Sequence, residues 1–139
     1  MASSTQRRTY MEKTLFNHYT VAMARLSYDT DLRWMADITT AKFAEVLDIE
    51  TWRLRQSLQK WSNDWKVLTC SNAKSSKSDR IYYAGDAFAD AAIMLSHYGR
   101  KKEAAKFADL SRELLGISAD EAEKERMWED RDTVMSCAT

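Results

Sequence analysis

The chain has 139 residues, no proline, three glycines, and 21 basic against 21 acidic residues. Its hydrophobic content of 45% supports one packed core and argues against a globally disordered chain. The scarcity of helix-breaking residues predicts a mainly α-helical protein. There is no apolar run of about 18 residues, as a membrane span requires, and no secretory pattern at the N-terminus. We therefore expect a cytoplasmic protein without membrane contact.

Residues suited to metal or catalytic chemistry are sparse. Cys70 and Cys137 stand far apart and outside any zinc-binding spacing, and His18 and His97 each stand alone. The sequence contains no Gly-rich phosphate loop, paired catalytic carboxylates or nucleophile–base motif. It predicts no enzymatic activity, no cofactor and no metal.

The first predicted helix spans residues 9–25, and a turn follows at residues 27–31. Apolar residues at steps of four and three define the side of this helix that faces the core. These residues are Leu15, Tyr19, Ala22 and Leu26. Leu32, Trp34 and Met35 are then expected to return to the core.

Two short helices are predicted next, at residues 41–47 and 51–62. Thr39 or Thr40 is the expected N-cap of the first, and a tight turn at residues 48–50 joins the two. Leu54, Leu58 and Trp61 form the expected buried stripe of the second helix, which ends at Asn63 and Asp64. The remaining face of that helix is polar and basic.

Residues 65–70 and 80–84 have the β-branched and aromatic content of strands. Between them lies a Ser-rich loop that carries Lys74 and Lys77, with Arg80 at its end. The sequence therefore predicts a β-hairpin with a basic loop. From Trp52 to Arg80 there are 7 basic and 2 acidic residues.

Three further helices are predicted in residues 86–135. Gly99 and Gly116 are the expected ends of the first two, and Ser118 with Glu121 matches a capping box at the start of the third. Residues 85–139 carry 8 basic and 12 acidic residues, whereas residues 1–84 carry 13 and 9. The positive charge is thus concentrated in the N-terminal part.

Residues 37–61 resemble the helix-turn-helix pattern. Ala44 fills the position that needs a small residue between the helices, and Leu47 and Ile49 flank the turn. The sequence departs from the pattern at Asp48, where glycine is usual, and at Glu50, where a Ser or Thr cap is usual. With the predicted hairpin, residues 9–84 are similar to the winged helix-turn-helix superfamily. The implied fold is mainly α, with three helices, a β-hairpin wing and a C-terminal helical extension at residues 85–139.

The resemblance implies binding to double-stranded DNA. In such domains the second helix of the motif enters the major groove, and the wing contacts flanking backbone. Arg can pair with guanine and Gln with adenine, while loop lysines neutralise phosphates. Trp52 either packs on the first helix, the interpretation slightly favoured, or joins the contact surface. The predicted DNA-binding residues are Thr51, Trp52, Arg53, Arg55, Gln56, Gln59, Lys60, Lys74, Lys77 and Arg80.

The function predicted from this resemblance is transcriptional regulation in a bacterium, phage or plasmid, with a homodimer formed through the C-terminal helices. Two alternatives stay open. One is an origin-binding protein for replication initiation, and the other is a protein-interaction module, such as an inhibitor or adaptor, that does not bind DNA. The acidic helix at residues 118–135 could also dock a basic protein partner.

Overall fold

The computed structural model describes the backbone of residues 4–60 and 74–138 and the side chains of residues 10–58 and 74–128. These parts form five α-helices and a short 3-10 turn, Thr30–Leu32. In chain order the helices are α1 (Ser4–Leu26), α2 (Arg33–Leu47), α3 (Thr51–Lys60), α4 (Lys77–His97) and α5 (Lys101–Ala138). None of the helices described is long and apolar enough to cross a bilayer.

The helices α4 and α5 form an antiparallel hairpin, against which α1 packs, while α2 packs on α1 and α3 mainly on α2. Small and hydroxylated side chains bring α4 and α5 together. Ser111 donates to the carbonyl of Gly85 at 2.7 Å, and Ser118 donates to that of Ser78 at 2.8 Å. These bonds satisfy hydroxyls that would otherwise be costly to bury.

An aromatic cluster at the centre of the core joins four helices. The ring of Phe43 in α2 lies 5.5 Å from Tyr19 in α1, 5.3 Å from Phe88 in α4 and 4.9 Å from Phe107 in α5. All four rings are buried. Tilted and edge-to-face pairs of this kind add to the stabilisation from area burial alone.

The predicted β-hairpin wing is wrong, because residues 80–84 lie in the second turn of α4. Ser76 begins that helix by accepting a hydrogen bond from the amide of Asp79 at 3.2 Å. Ile81, Ala84 and Phe88 are buried at helical spacing, so packing against α1 and α5 outweighs the strand preference of Ile-Tyr-Tyr. Residues 4–60 and 74–138 contain no strand. The other predicted strand, residues 65–70, lies outside the described residues.

The predicted break at Gly116 is also wrong, since α5 runs continuously from residue 101 to residue 138. Ser118 is not a helix cap but a buried side chain in the middle of α5. A glycine inside a helix costs about 1 kcal/mol, which is less than the gain from burying the adjoining face of α5 on α4. The capping box with Glu121 therefore does not form.

The predicted start of α2 was too late. Thr39 and Thr40 lie inside the helix, where their hydroxyls donate to the carbonyls of Met35 at 2.7 Å and Ala36 at 3.0 Å. Because each threonine satisfies its hydroxyl within the helix, both are tolerated in the core.

The predicted core stripe of α1 is confirmed, and so are the burial of Leu32, Met35 and Leu54 and the helix stop at Gly99. Trp34, however, is 52% exposed rather than part of the core. Trp61 and the helix exit at Asn63 and Asp64 lie outside the described residues.

Replacing Gly116 or Gly99 by alanine should change the free energy of unfolding in opposite directions. Gly116 lies inside α5, and a Cβ there would meet no atom within 4 Å. We expect Gly116→Ala to raise the free energy of unfolding by about 0.5–1 kcal/mol. Gly99 has a φ of 80°, which alanine adopts at a cost. Gly99→Ala should therefore lower the free energy of unfolding by about 1 kcal/mol. Urea titrations of the two variants would contradict this interpretation if both changes had the same sign.

Candidate nucleic-acid interface

A three-residue turn, residues 48–50, joins α2 to α3. Asp48 adopts the left-handed conformation, with φ 55° and ψ 46°, and the amide of Ile49 donates to the carbonyl of Ala44 at 3.1 Å. The carbonyl of Glu50 then accepts from Arg53 at 3.0 Å, which begins α3. Aspartate tolerates this backbone better than most non-glycine residues do. The connection between the two helices is therefore three residues long, as predicted from the sequence.

A contact from the α4–α5 turn holds the end of α2. The guanidinium of Arg100, which follows Gly99 in the α4–α5 turn, donates to the carbonyl of Val46 at 3.1 Å and to Glu103 at 3.1 Å. A cation at a helix C-terminus is favourable because it interacts with carbonyls that lack helical partners. The sequence analysis did not single out Arg100, since its partner lies 54 residues away in the chain.

Helix α3 presents a polar face to solvent. Leu54 is completely buried and Leu58 partly buried, whereas Thr51, Trp52, Arg53, Arg55 and Gln56 are exposed. The fold thus brings five of the predicted contact residues onto one accessible surface, which we call the α3 face. Gln59 and Lys60 continue the helix backbone, but their side chains lie outside the described part of the structure.

The side chain of Arg55 bridges from α3 to α2. One of its terminal nitrogens lies 3.2 Å from the carboxylate of Asp37, and the two side chains are 53% and 73% exposed. A pair this exposed contributes at most about 1 kcal/mol, so Arg55 can exchange Asp37 for another acceptor at small cost. Asp37 was missed as a site residue because sequence spacing alone does not reveal an α2–α3 pair.

The indole of Trp52 is 54% exposed, so the favoured prediction that it packs on α1 is wrong. Its N–H donates to the carboxylate of Glu50, and the guanidinium of Arg53 lies 5.4 Å from its ring centroid. The cation–π contact and the hydrogen bond hold the indole within the exposed α3 face.

Two of the three predicted loop cations, Arg80 and Lys77, pair with acidic side chains of the α1–α2 connection. Arg80 is buried, donates to both carboxylate oxygens of Asp29 at 2.9 Å and 3.1 Å, and lies over the ring of Tyr28. Lys77 is paired with Asp31; their hydrogen bond raises the pKa of Lys77 and lowers that of Asp31. These pairs anchor the α1–α2 connection to the start of α4. Lys74 is exposed.

Tyr19 and His18 have pKa values that are shifted by burial. Burial raises the pKa of Tyr19, and the hydrogen bond between its hydroxyl and that of Thr40, at 3.1 Å, opposes this shift in part. Burial also lowers the pKa of His18, with Asp90 and Asp86 opposing that shift. Within the described ranges no group of three or more His, Cys, Asp or Glu residues could hold a metal ion.

Comparison with known proteins assigns neither a family nor a function to this chain. No family model matches this chain, and neither the curated proteins nor the solved structures include a significant match.

Proposed function

We propose that this protein binds double-stranded DNA through the α3 face. The observation that supports the proposal is the turn at Asp48, which buries Leu54 while Arg53, Arg55 and Gln56 stay exposed. Bidentate donors on an exposed helix suit the base edges of the major groove, where Arg pairs with guanine and Gln with adenine. Since residues 80–84 lie in α4 rather than in a wing, we assign the base contacts to α3.

A comparison of interaction free energies favours the transfer of Arg55 from Asp37 to DNA. The exposed pair with Asp37 contributes about 0–1 kcal/mol, whereas a bidentate pair with guanine discriminates by about 1–3 kcal/mol. Asp37 also opposes indiscriminate attraction to phosphates, since it places a negative charge beside the cation. We expect the α3 face to favour base contacts over backbone contacts.

We further propose that two copies act together, because one short helix contacts few base pairs and a two-fold dimer doubles the contacts. Helix α5 is the proposed pairing element, since Met127 and Trp128 are 64% and 61% exposed near its end. The measured mass of the protein–duplex complex tests this pairing, because it shows whether the complex contains one protein chain or two.

The central prediction concerns Arg53 and Arg55. We expect Arg53→Ala or Arg55→Ala to weaken binding to a duplex selected from a randomised pool by about 1–3 kcal/mol, or roughly 5- to 150-fold, and to relax the base preference. Lys74→Ala should weaken all duplexes evenly, because a phosphate contact carries no sequence information. Fluorescence anisotropy titrations at several salt concentrations measure both effects.

The matched control is Arg112→Ala. Arg112 is an exposed arginine on α5 that is also paired with an acidic neighbour, Asp109, but it lies outside the α3 face. This variant should bind DNA like the wild type. Equal binding by all the variants would overturn the assigned face.

A second candidate function, binding of another protein, is favoured by the crevice between α2 and α5. Apolar side chains line it, among them Trp34, Ile38, Leu110 and Ile117, and the first two are substantially exposed. Exposed apolar surface of this kind marks interaction sites more often than isolated residues do. Failure to bind any duplex at low salt would favour this function over DNA binding.

A further inference from the structure

We infer that Trp52 reads the 5-methyl group of thymine in the bound duplex. The inference rests on the proposed function and specifies which base pair the start of α3 recognises. Trp52 is the second residue of α3, and the N-terminal residues of a recognition helix are those that reach base edges. Its large apolar ring is 54% exposed, although such a side chain is ordinarily buried.

The hydrogen bonding of Trp52 decides what it can recognise. The indole has one donor, its N–H, and that donor is engaged by Glu50. The ring is therefore left with its apolar surface for contact with a ligand. In the major groove the thymine methyl is the one apolar group that the four bases present. An indole whose N–H is already hydrogen-bonded can therefore make a favourable contact with thymine and with no other base edge.

The neighbour of Trp52 on the helix supports the same base pair. Gln56 lies four residues later, and residues at this spacing share a helix face. Gln56 is exposed, and its amide can pair with the N6 and N7 atoms of adenine. Trp52 and Gln56 are thus placed to contact A·T pairs at adjacent steps.

Replacing thymine by deoxyuridine removes the methyl and leaves base pairing intact, so it isolates this contact. In a duplex recovered by selection, each thymine is replaced in turn, and binding is measured by anisotropy with the wild type, Trp52→Ala and Trp52→Phe. We expect one position at which deoxyuridine weakens wild-type binding about three- to fivefold, the effect of losing one buried methyl. Trp52→Ala should bind more weakly and show no deoxyuridine effect, whereas Trp52→Phe should keep it.

The outcomes separate the inference from the function on which it rests. Methyl recognition would be overturned if deoxyuridine did not weaken binding by the wild type at any position. It would also be overturned if deoxyuridine weakened binding by Trp52→Ala equally. In both cases duplex binding itself would stand. If Trp52→Ala lost as much affinity for the separated single strands as for the duplex, base stacking would replace methyl recognition as the explanation. If no duplex is recovered by the selection, the proposed function fails and the inference fails with it. Because Trp52 is exposed, its variants should keep the wild-type circular dichroism spectrum and unfolding midpoint.

Discussion

Phe43→Ala is expected to lower the free energy of unfolding by about 3–5 kcal/mol. Phe43 is fully buried and its ring contacts Tyr19, Phe88 and Phe107, so truncation leaves a cavity bounded by three other helices. Those rings belong to packed helices and can close the cavity only in part. The loss is a large fraction of the about 5–15 kcal/mol that stabilises a typical domain.

Urea unfolding followed by circular dichroism measures the loss, and Ile93→Ala is the control. Ile93 is also a large apolar residue in a helix, α4, but it is 69% exposed. Its truncation should change the free energy of unfolding by no more than about 0.5 kcal/mol. Similar losses in the two variants would mean that Phe43 does not occupy the centre of the core.

Arg80→Ala is expected to cost about 3–5 kcal/mol, because it leaves Asp29 without the guanidinium that neutralises it. The side chains of Arg80 and Asp29 are only 9% and 20% exposed. The substitution also removes the contact with the ring of Tyr28 and a hydrogen bond to the carbonyl of Ser75. The connection between α1 and α2 would then lose its main attachment to α4.

The control for Arg80 is Arg55→Ala, which breaks the exposed pair with Asp37 and should cost less than about 1 kcal/mol of stability. The double variant Asp29→Asn with Arg80→Ala should recover part of the loss, since it removes the unpaired charge. Equal destabilisation by Arg80→Ala and Arg55→Ala in thermal or urea unfolding would contradict a structural role for Arg80. The same pair of variants should respond in the opposite order in DNA binding, where Arg55→Ala has the larger direct effect.

The stability of the core and the position of the α3 face are linked through α2. This helix carries Phe43 on its buried side, Asp37 on the side of α3, and the carbonyl bound by Arg100 at its end. A core substitution that displaces α2 is therefore expected to weaken DNA binding as well as stability, because α3 packs mainly on α2. A variant of Arg53, which lies on the solvent side of α3, should affect binding without unfolding.

Local patterns were enough to predict several elements from the sequence. Leu15, Tyr19 and Ala22 repeat at helical spacing and are buried in α1, and Leu54 is buried in α3. The turn at Asp48 and the stop at Gly99 were predicted from backbone preferences, which act within a few residues. The exposed α3 face followed from the same periodicity, because a buried Leu54 leaves Arg53 and Arg55 outside.

Tertiary packing decided the features that local preference predicted wrongly. Residues 80–84 have strand-forming side chains, yet Ile81 and Ala84 gain more by burial in α4 between two other helices than a short strand would provide. Gly116 would end an isolated helix, but α5 continues because Leu114 and Ser118 are buried on either side of it. The partners of Arg80, Arg55 and Arg100 lie 51, 18 and 54 residues away. Local sequence therefore determined the buried stripes of α1 and α3 and the ends of α2 and α4. Burial and long-range pairing decided the start of α4, the continuity of α5, and which cations are paired within the fold.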